Sequence, residues 1–275
     1  MALGPDSMLL TDRRALVTGA ARGIGRATAI ALARFGAHVA VCDRLGDELE
    51  ATVAEIASLG REASSAVLDV RDAEAVQAWV GRLADGWRDL HVLVNNAGGG
   101  FVSEVTELSA KGQAALIAEN FTQVVDVTRT CVPLLVAGGG AEGGSSVVNV
   151  TSVEAHRAGP GFGIYSAMKA GVENLTKTLA LELATRRVRV NAVAPDMIPT
   201  PGDDFLTDES GAVSNTEWAR TPWPEVGAPD DVAAAAVWLA SPMSRFVTGS
   251  TVHVDGGTLA ASGWKRPTEG SGWVL

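Results

Sequence analysis

With 275 residues, 47% of them hydrophobic and 20% charged, the chain can fill one sizeable α/β core, which excludes intrinsic disorder. A formal charge of −10 argues against nucleic acid as a partner, because proteins that bind its phosphate backbone present basic faces. Two cysteines, Cys42 and Cys131, cannot build a disulfide framework and fit a reducing, cytoplasmic setting; no apolar run nears the ~20 residues of a membrane span, and no secretory signal opens the chain.

From Met8 onward, short apolar or β-branched runs alternate with longer amphipathic stretches. "RALVTG", "AHVAVCD", "ASSAVLDV", "LHVLVNNAG", "SSVVNVTS", "VRVNAVAP" and "STVHVDGG" read as strands. Between them, 23–35, 47–59, 72–87, 111–136, 165–185 and 229–240 read as helices. Strands this apolar, separated by helices, predict a seven-stranded parallel sheet with helices on both faces, in one doubly wound domain of the Rossmann type. That domain spans 8–257, and a tail follows over 258–275. Two stretches break the rhythm: a Pro-, Asp-, Glu- and Thr-rich loop at 195–228, and the Gly-rich tail. The "GGGAEGGSS" run at 138–146 reads as a flexible turn.

The first strand leads into "TGAARGIG", with Gly19, Gly23 and Gly25 in a strand-to-helix turn and Arg22 and Ile24 among them. Such a turn lets backbone approach a pyrophosphate, and the helix N-terminus supplies free N–H groups and a positive dipole end. Asp43 ends the next strand, where its carboxylate can accept hydrogen bonds from adenosine ribose hydroxyls and repel a 2′-phosphate. The cofactor reading is therefore NAD. Arg22 and Arg44 keep NADP open, since either can pair with a 2′-phosphate.

Tyr165 is the chain's single tyrosine, and Lys169 stands four residues on. On a helix that spacing puts both on one face. A nearby ammonium favours the phenolate and lowers the ordinary tyrosine pKa of ~10, giving a proton donor and acceptor usable near neutral pH.

"TGAARGIG" at 18–25, "NNAG" at 95–98, Asn120, Ser152, "YSAMK" at 165–169 and "NAVAPDMIPT" at 191–200 together resemble the short-chain dehydrogenase/reductases, in family order from about residue 10 to Gly257. Both 3-oxoacyl reductase-like and hydroxysteroid dehydrogenase-like members are similar. The resemblance implies that Tyr165 is the catalytic acid/base, that Ser152 holds and polarises the substrate oxygen, and that Lys169 lowers the tyrosine pKa and binds the nicotinamide ribose. Asn120 would anchor a water linking Lys169 to solvent. Asp69 and Val70 would meet the adenine. Asn95 would stabilise the sheet, while Asn96, Ala97 and Gly98 let the cofactor pass close. Pro195, Ile198 and Thr200 would hold the nicotinamide end. Asp196 departs from the pattern, because the family usually has glycine there; aspartate tolerates the left-handed backbone such a turn can need. Members of the family commonly form tetramers, so a homotetramer is expected.

Glu154, His156 and Arg157 follow Ser152 closely enough to line a substrate pocket, and Trp218 and Trp223 put large apolar faces on the 195–228 loop, which reads as a lid over a bulky, largely apolar substrate. His38, His91 and His253 read as structural. No residues have metal-ligand spacing, so no metal is expected. The function reading is an NAD(H)-dependent oxidoreductase interconverting a secondary alcohol and a ketone, alicyclic or hydroxysteroid-like. The alternatives are a 3-oxoacyl thioester reductase using NADPH and an idle dinucleotide-binding sensor. A sensor has no chemical reason to keep Asn120, Ser152, Tyr165 and Lys169 together. The Trp-bearing tail reads as a segment that packs across a neighbouring subunit.

Overall fold

A computed structural model of the chain describes residues 3–201, 219, 221–267 and 272–274. Its centre is a parallel sheet of seven strands: β1 (Arg14–Thr18), β2 (His38–Asp43), β3 (Ala63–Val67), β4 (Val92–Asn95), β5 (Ser145–Val150), β6 (Val188–Pro195) and β7 (Thr251–Val254). The spatial order is β3-β2-β1-β4-β5-β6-β7. Register is continuous, with Leu16 opposite both Ala40 and Leu93, and Val148 opposite Asn191. The order reverses direction between β1 and β4, and in such sheets the crevice at the carboxyl ends beside that reversal is where ligands bind.

Side chains alternate across the sheet, so each strand serves two cores. Ala15 and Val17 face one side with Val39, Val41, Leu32 and Leu239. Leu16 faces the other with Ala40, Trp79, Leu135 and Leu183. Each fully buried leucine contributes about 1.5–3 kcal/mol relative to exposure. The covering helices are α1 (Gly23–Arg34), α2 (Gly46–Ser58), α3 (Ala73–Gly86), α4 (Ala110–Ile117), α5 (Gln123–Gly138), α6 (Gly163–Ala184) and α7 (Pro229–Ala240), and a short α8 (Thr258–Ala261) follows β7. Asp72 caps α3 by accepting the Ala75 N–H, and Ser109 caps α4 by accepting that of Gly112.

Three local expectations change. The predicted helix 111–136 is split by a π-turn over Ala118–Thr122. The third strand stops at Val67, leaving Asp69 and Val70 in the turn beyond. The Gly-rich run at 138–146 is pinned rather than loose. The buried guanidinium of Arg13 donates to the carbonyls of Glu142 and Gly144, and that of Arg189 donates to Gly143 O, 3.1 Å away.

The tail folds back on its own chain. Lys265 and Val274 form an antiparallel bridge, Arg266 O accepts the Ala219 N–H, and Arg266 Nε donates to Pro222 O. These contacts with Ala219 and Pro222 lie within one subunit, and Trp264 and Trp273 stay half exposed.

Candidate active site

The ends of β1 and β4 are tied together at the reversal. Thr18 Oγ1 accepts the N–H groups of Asn96 (3.1 Å) and Ala97 (3.0 Å), and the Asn96 amide donates to the carbonyls of Thr18 and Gly19, both 3.0 Å away. Asn95 turns inward, its amide donating to Asn149 and Thr128. Gly19 and Gly23 hold left-handed φ values of 66° and 57°, and a Cβ on Gly25 would stand 2.0 Å from Gly19 O. Only glycine fits there.

A dinucleotide fits these residues on three observations. Helix α1 starts with no side-chain cap at Arg22, so its first N–H groups are available to a phosphate. Asp43 sits at the end of β2, held by the N–H groups of Ala21 (3.0 Å) and Leu45 (3.1 Å), one on each oxygen, and each oxygen keeps a lone pair for a ribose hydroxyl. Thr200 closes over the turn, 3.1 Å from where a Gly23 Cβ would lie, which brings the loop that follows Pro195, with Ile198, to the same crevice. Arg22 and Arg44 are exposed beside Asp43. Asp69 is engaged by Arg71 in an ion pair, which holds its carboxyl below the usual range, and Val70 is buried.

The four residues of the Asn-Ser-Tyr-Lys set gather around the ends of β4 and β5. The Lys169 ammonium, fully buried on α6, donates to Val150 O at 3.0 Å and lies 5.6 Å from the centre of the Tyr165 ring. Burial pushes its pKa down to about 8, against the opposing pull of the Glu119 carboxylate. Asn120 sits in the π-turn, where its amide donates to Leu116 O and Gly99 O and its Oδ1 accepts the Gly99 N–H. Gly98 passes between Asn120 Oδ1 and Lys169 Nζ; a Cβ there would stand 3.0 and 3.2 Å from them. Ser152 follows β5, and its Oγ accepts the Glu154 N–H (3.2 Å), leaving its O–H to donate elsewhere.

Besides the Lys169 ammonium, Tyr165 has an aromatic neighbour. Phe162 meets its ring edge-on, with centroids 6.2 Å apart. Gly100 lies against it, where a Cβ would stand 3.4 Å from the ring, while Val102 and Val105 of the same loop pack at Gly161 and Gly163. Phe101, Val102 and Val105 are exposed there. Sequence reasoning passed over this segment, because after its Gly-Gly turn it has no periodicity.

The pocket candidates divide. Glu154 is held by Arg157. His156 turns to the buried Glu173 (Nε2 to Oε1, 2.7 Å) and to His253 (Nε2 to Nε2, 3.1 Å). Trp223 is exposed, donates to Glu225 and borders a cavity of about 690 Å³ with Ile198, Thr221 and Gly256. Ser152, Tyr165 and Lys169 are not among the residues lining that cavity. Trp218 and most of the 195–228 lid lie outside the described residues. The left-handed residue after β6 is Met197 (φ 52°), not Asp196. Among the described residues no His, Cys, Asp and Glu cluster could hold a metal, and no helix is long and apolar enough to cross a membrane.

A family model described as Enoyl-(Acyl carrier protein) reductase matches residues 19–258. A 3-oxoacyl-[acyl-carrier-protein] reductase of Thermotoga maritima is 36% identical over 252 residues, covering 92% of this chain and all of that protein. The chain belongs to the short-chain dehydrogenase/reductase family. Among solved structures, carveol dehydrogenase from Mycobacterium avium in complex with NAD is similar at 30% identity and a TM-score of 0.83, over 91% of this chain and 99% of that one. A 7α-hydroxysteroid dehydrogenase with NADH and 7-oxo glycochenodeoxycholic acid matches at 28% identity and 0.85, over 93% and 97%. This short-chain dehydrogenase/reductase is an oxidoreductase acting on CH–OH groups.

Proposed function

We propose that this enzyme interconverts a bulky, largely apolar secondary alcohol and its ketone, with NAD(H) as cofactor and Tyr165 as the acid/base. The observation that carries this reading is Tyr165 set one helical turn from a buried ammonium, beside a loop that passes its ring at Gly100 and bears the exposed Phe101, Val102 and Val105. When bound, the nicotinamide cofactor accepts the hydride from the carbinol carbon or returns it. The chain's own residues handle the rest. In oxidation the Tyr165 phenolate takes the hydroxyl proton as the C–H bond gives up its hydride; in reduction the phenol returns that proton to the alkoxide oxygen. The Ser152 O–H donates to the same oxygen and stabilises the charge where it develops. Lys169 favours the phenolate through its charge, and Asn120 holds the backbone beside it and anchors a water leading to solvent.

Asp43 supports NAD over NADP, because its fixed carboxylate at the end of β2 can accept from ribose hydroxyls and would repel a 2′-phosphate. The exposed Arg22 and Arg44, with the 3-oxoacyl reductase likeness, support a second reading: an NADPH-dependent 3-oxoacyl thioester reductase. Assembly as a homotetramer is proposed on the family resemblance. The two buried thiols, Cys42 and Cys131, support a cytoplasmic setting.

Purified protein incubated with NAD and a panel of alicyclic and steroidal secondary alcohols is expected to produce NADH. Turnover confined to NADPH and 3-oxoacyl thioesters would replace the first reading with the second.

A further inference from the structure

Asp196 follows the last residue of β6, at the position where family resemblance leads one to expect glycine. Its backbone does not need glycine's freedom, since Met197 takes the left-handed conformation. Its carboxylate is fully engaged. Oδ1 accepts the Met197 N–H at 2.9 Å, and Oδ2 accepts both Arg157 Nη2 at 2.9 Å and the Thr258 hydroxyl at 2.6 Å. Arg157 also grips Glu154 Oε1 through Nε (3.0 Å) and Nη2 (2.7 Å), and the Glu154 N–H donates to Ser152 Oγ. An unbroken chain of contacts thus runs Ser152–Glu154–Arg157–Asp196–Thr258. It joins the three loops that leave β5, β6 and β7 at the carboxyl edge of the sheet.

Half-exposed ion pairs add little to global stability. Nor is Arg157 an anion hook for substrate, because two carboxylates already neutralise it. What the chain does fix is geometry. Ser152 stands on the first loop, Ile198 and Thr200 on the second. We propose that Arg157 and Asp196 are positioning residues: their ion pair latches the loop bearing Ser152 to the loop bearing Ile198 and Thr200, and so sets the substrate oxygen against the nicotinamide. This rests on the proposed alcohol–ketone chemistry. Small misplacements of reacting groups are costly, with about 1 Å worth as much as 10²-fold in rate, so the latch acts on turnover. The adenosine end of the cofactor, held at Asp43, is untouched by it.

The test compares Arg157→Gln, Asp196→Asn and the double variant with the unmodified enzyme. Each single change is expected to lower kcat roughly tenfold, to leave the NADH Kd within about twofold, and to enlarge the primary deuterium isotope effect as hydride transfer becomes slower. The double variant should be no worse than the poorer single one, since either change opens the same latch. Hydrogen exchange in the cofactor-free protein reads the coupling without any turnover. Arg157→Gln should speed exchange of the amides at 196–200, and Asp196→Asn that of the amides at 152–157. Absence of these crossed effects overturns the latch. Crossed effects with unchanged kcat and isotope effect overturn the positioning role. An unmodified enzyme inactive on every alcohol and ketone sinks the proposed chemistry, while the exchange experiment still decides whether the loops are joined.

Discussion

The Lys169 ammonium lies 5.6 Å from the centre of the Tyr165 ring and bonds to the backbone of β5, so that charge and phenol are presented together by one turn of α6. Burial holds the lysine pKa near 8. Ketone reduction needs the proton on Tyr165 and the charge on Lys169, and rising pH removes the Lys169 proton near 8. The expected profile of kcat/KM for reduction is flat below about pH 7 and falls by about tenfold per unit once past the first step. A stopped-flow or steady-state series from pH 6 to 10 checks it, and a flat profile to pH 10 would break the assignment.

Tyr165→Phe removes one oxygen and keeps the ring that packs on Phe162. Fold and NADH affinity should persist, while turnover drops by about 10²–10⁴-fold, the usual contribution of a general acid–base group. Comparing kcat with an NADH fluorescence titration separates the two effects. Retention of more than about a tenth of kcat removes Tyr165 from the chemistry.

Cofactor choice turns on Asp43 against Arg22 and Arg44. With both carboxylate oxygens held at the end of β2 by the N–H groups of Ala21 and Leu45, a 2′-phosphate would meet a fixed negative charge. NAD(H) should therefore show the higher kcat/KM, and Asp43→Ala should narrow the gap by weakening NAD(H) and admitting NADP(H). Equal kcat/KM for the two cofactors in the unmodified enzyme would shift the decision to the arginines.

The sheet was legible in the sequence because its inner strands bury both faces, which leaves apolar runs such as "VRVNAVAP" with few competing readings. Helix 229–240 was legible from its apolar face, and its bounds match α7. What could not be read came from contacts between distant segments. The π-turn at Asn120 has no Gly or Pro to announce it and coincides with the side chain's hold on the backbone of Gly99, 21 residues away. Arg157 and Asp196 stand 39 residues apart, and the sequence marks one as a pocket residue and the other as a departure from glycine without linking them. Phe101, Val102 and Val105 belong to an irregular loop, and only the fold brings that loop past Tyr165 at Gly100. The turn at 138–146 looked loose because glycine count says nothing about the two buried arginines that hold its carbonyls.

Two glycines in helices make opposite predictions from one measurement. Gly25, in the first turn of α1, has Gly19 O 2.0 Å and the Asn96 amide nitrogen 2.4 Å from where a Cβ would sit. Those atoms belong to the strand-to-helix turn and to the tie between β1 and β4, so neither can move without opening the crevice. Gly25→Ala should cost about 1–3 kcal/mol of overpacking strain and weaken NADH binding by at least an order of magnitude, because the phosphate-binding turn itself is displaced. Gly81 sits exposed within α3 with nothing within 4 Å of its Cβ position. There alanine only improves helix propensity, by about 0.5–1 kcal/mol, and leaves the crevice alone. Thermal melts and NADH titrations of the two variants should move apart: a lower midpoint with lost affinity for Gly25→Ala, and a slightly higher midpoint with unchanged affinity for Gly81→Ala. Normal NADH affinity in Gly25→Ala would show that the turn can relax around a methyl group and that its close approach to Gly19 is not what shapes the cofactor site.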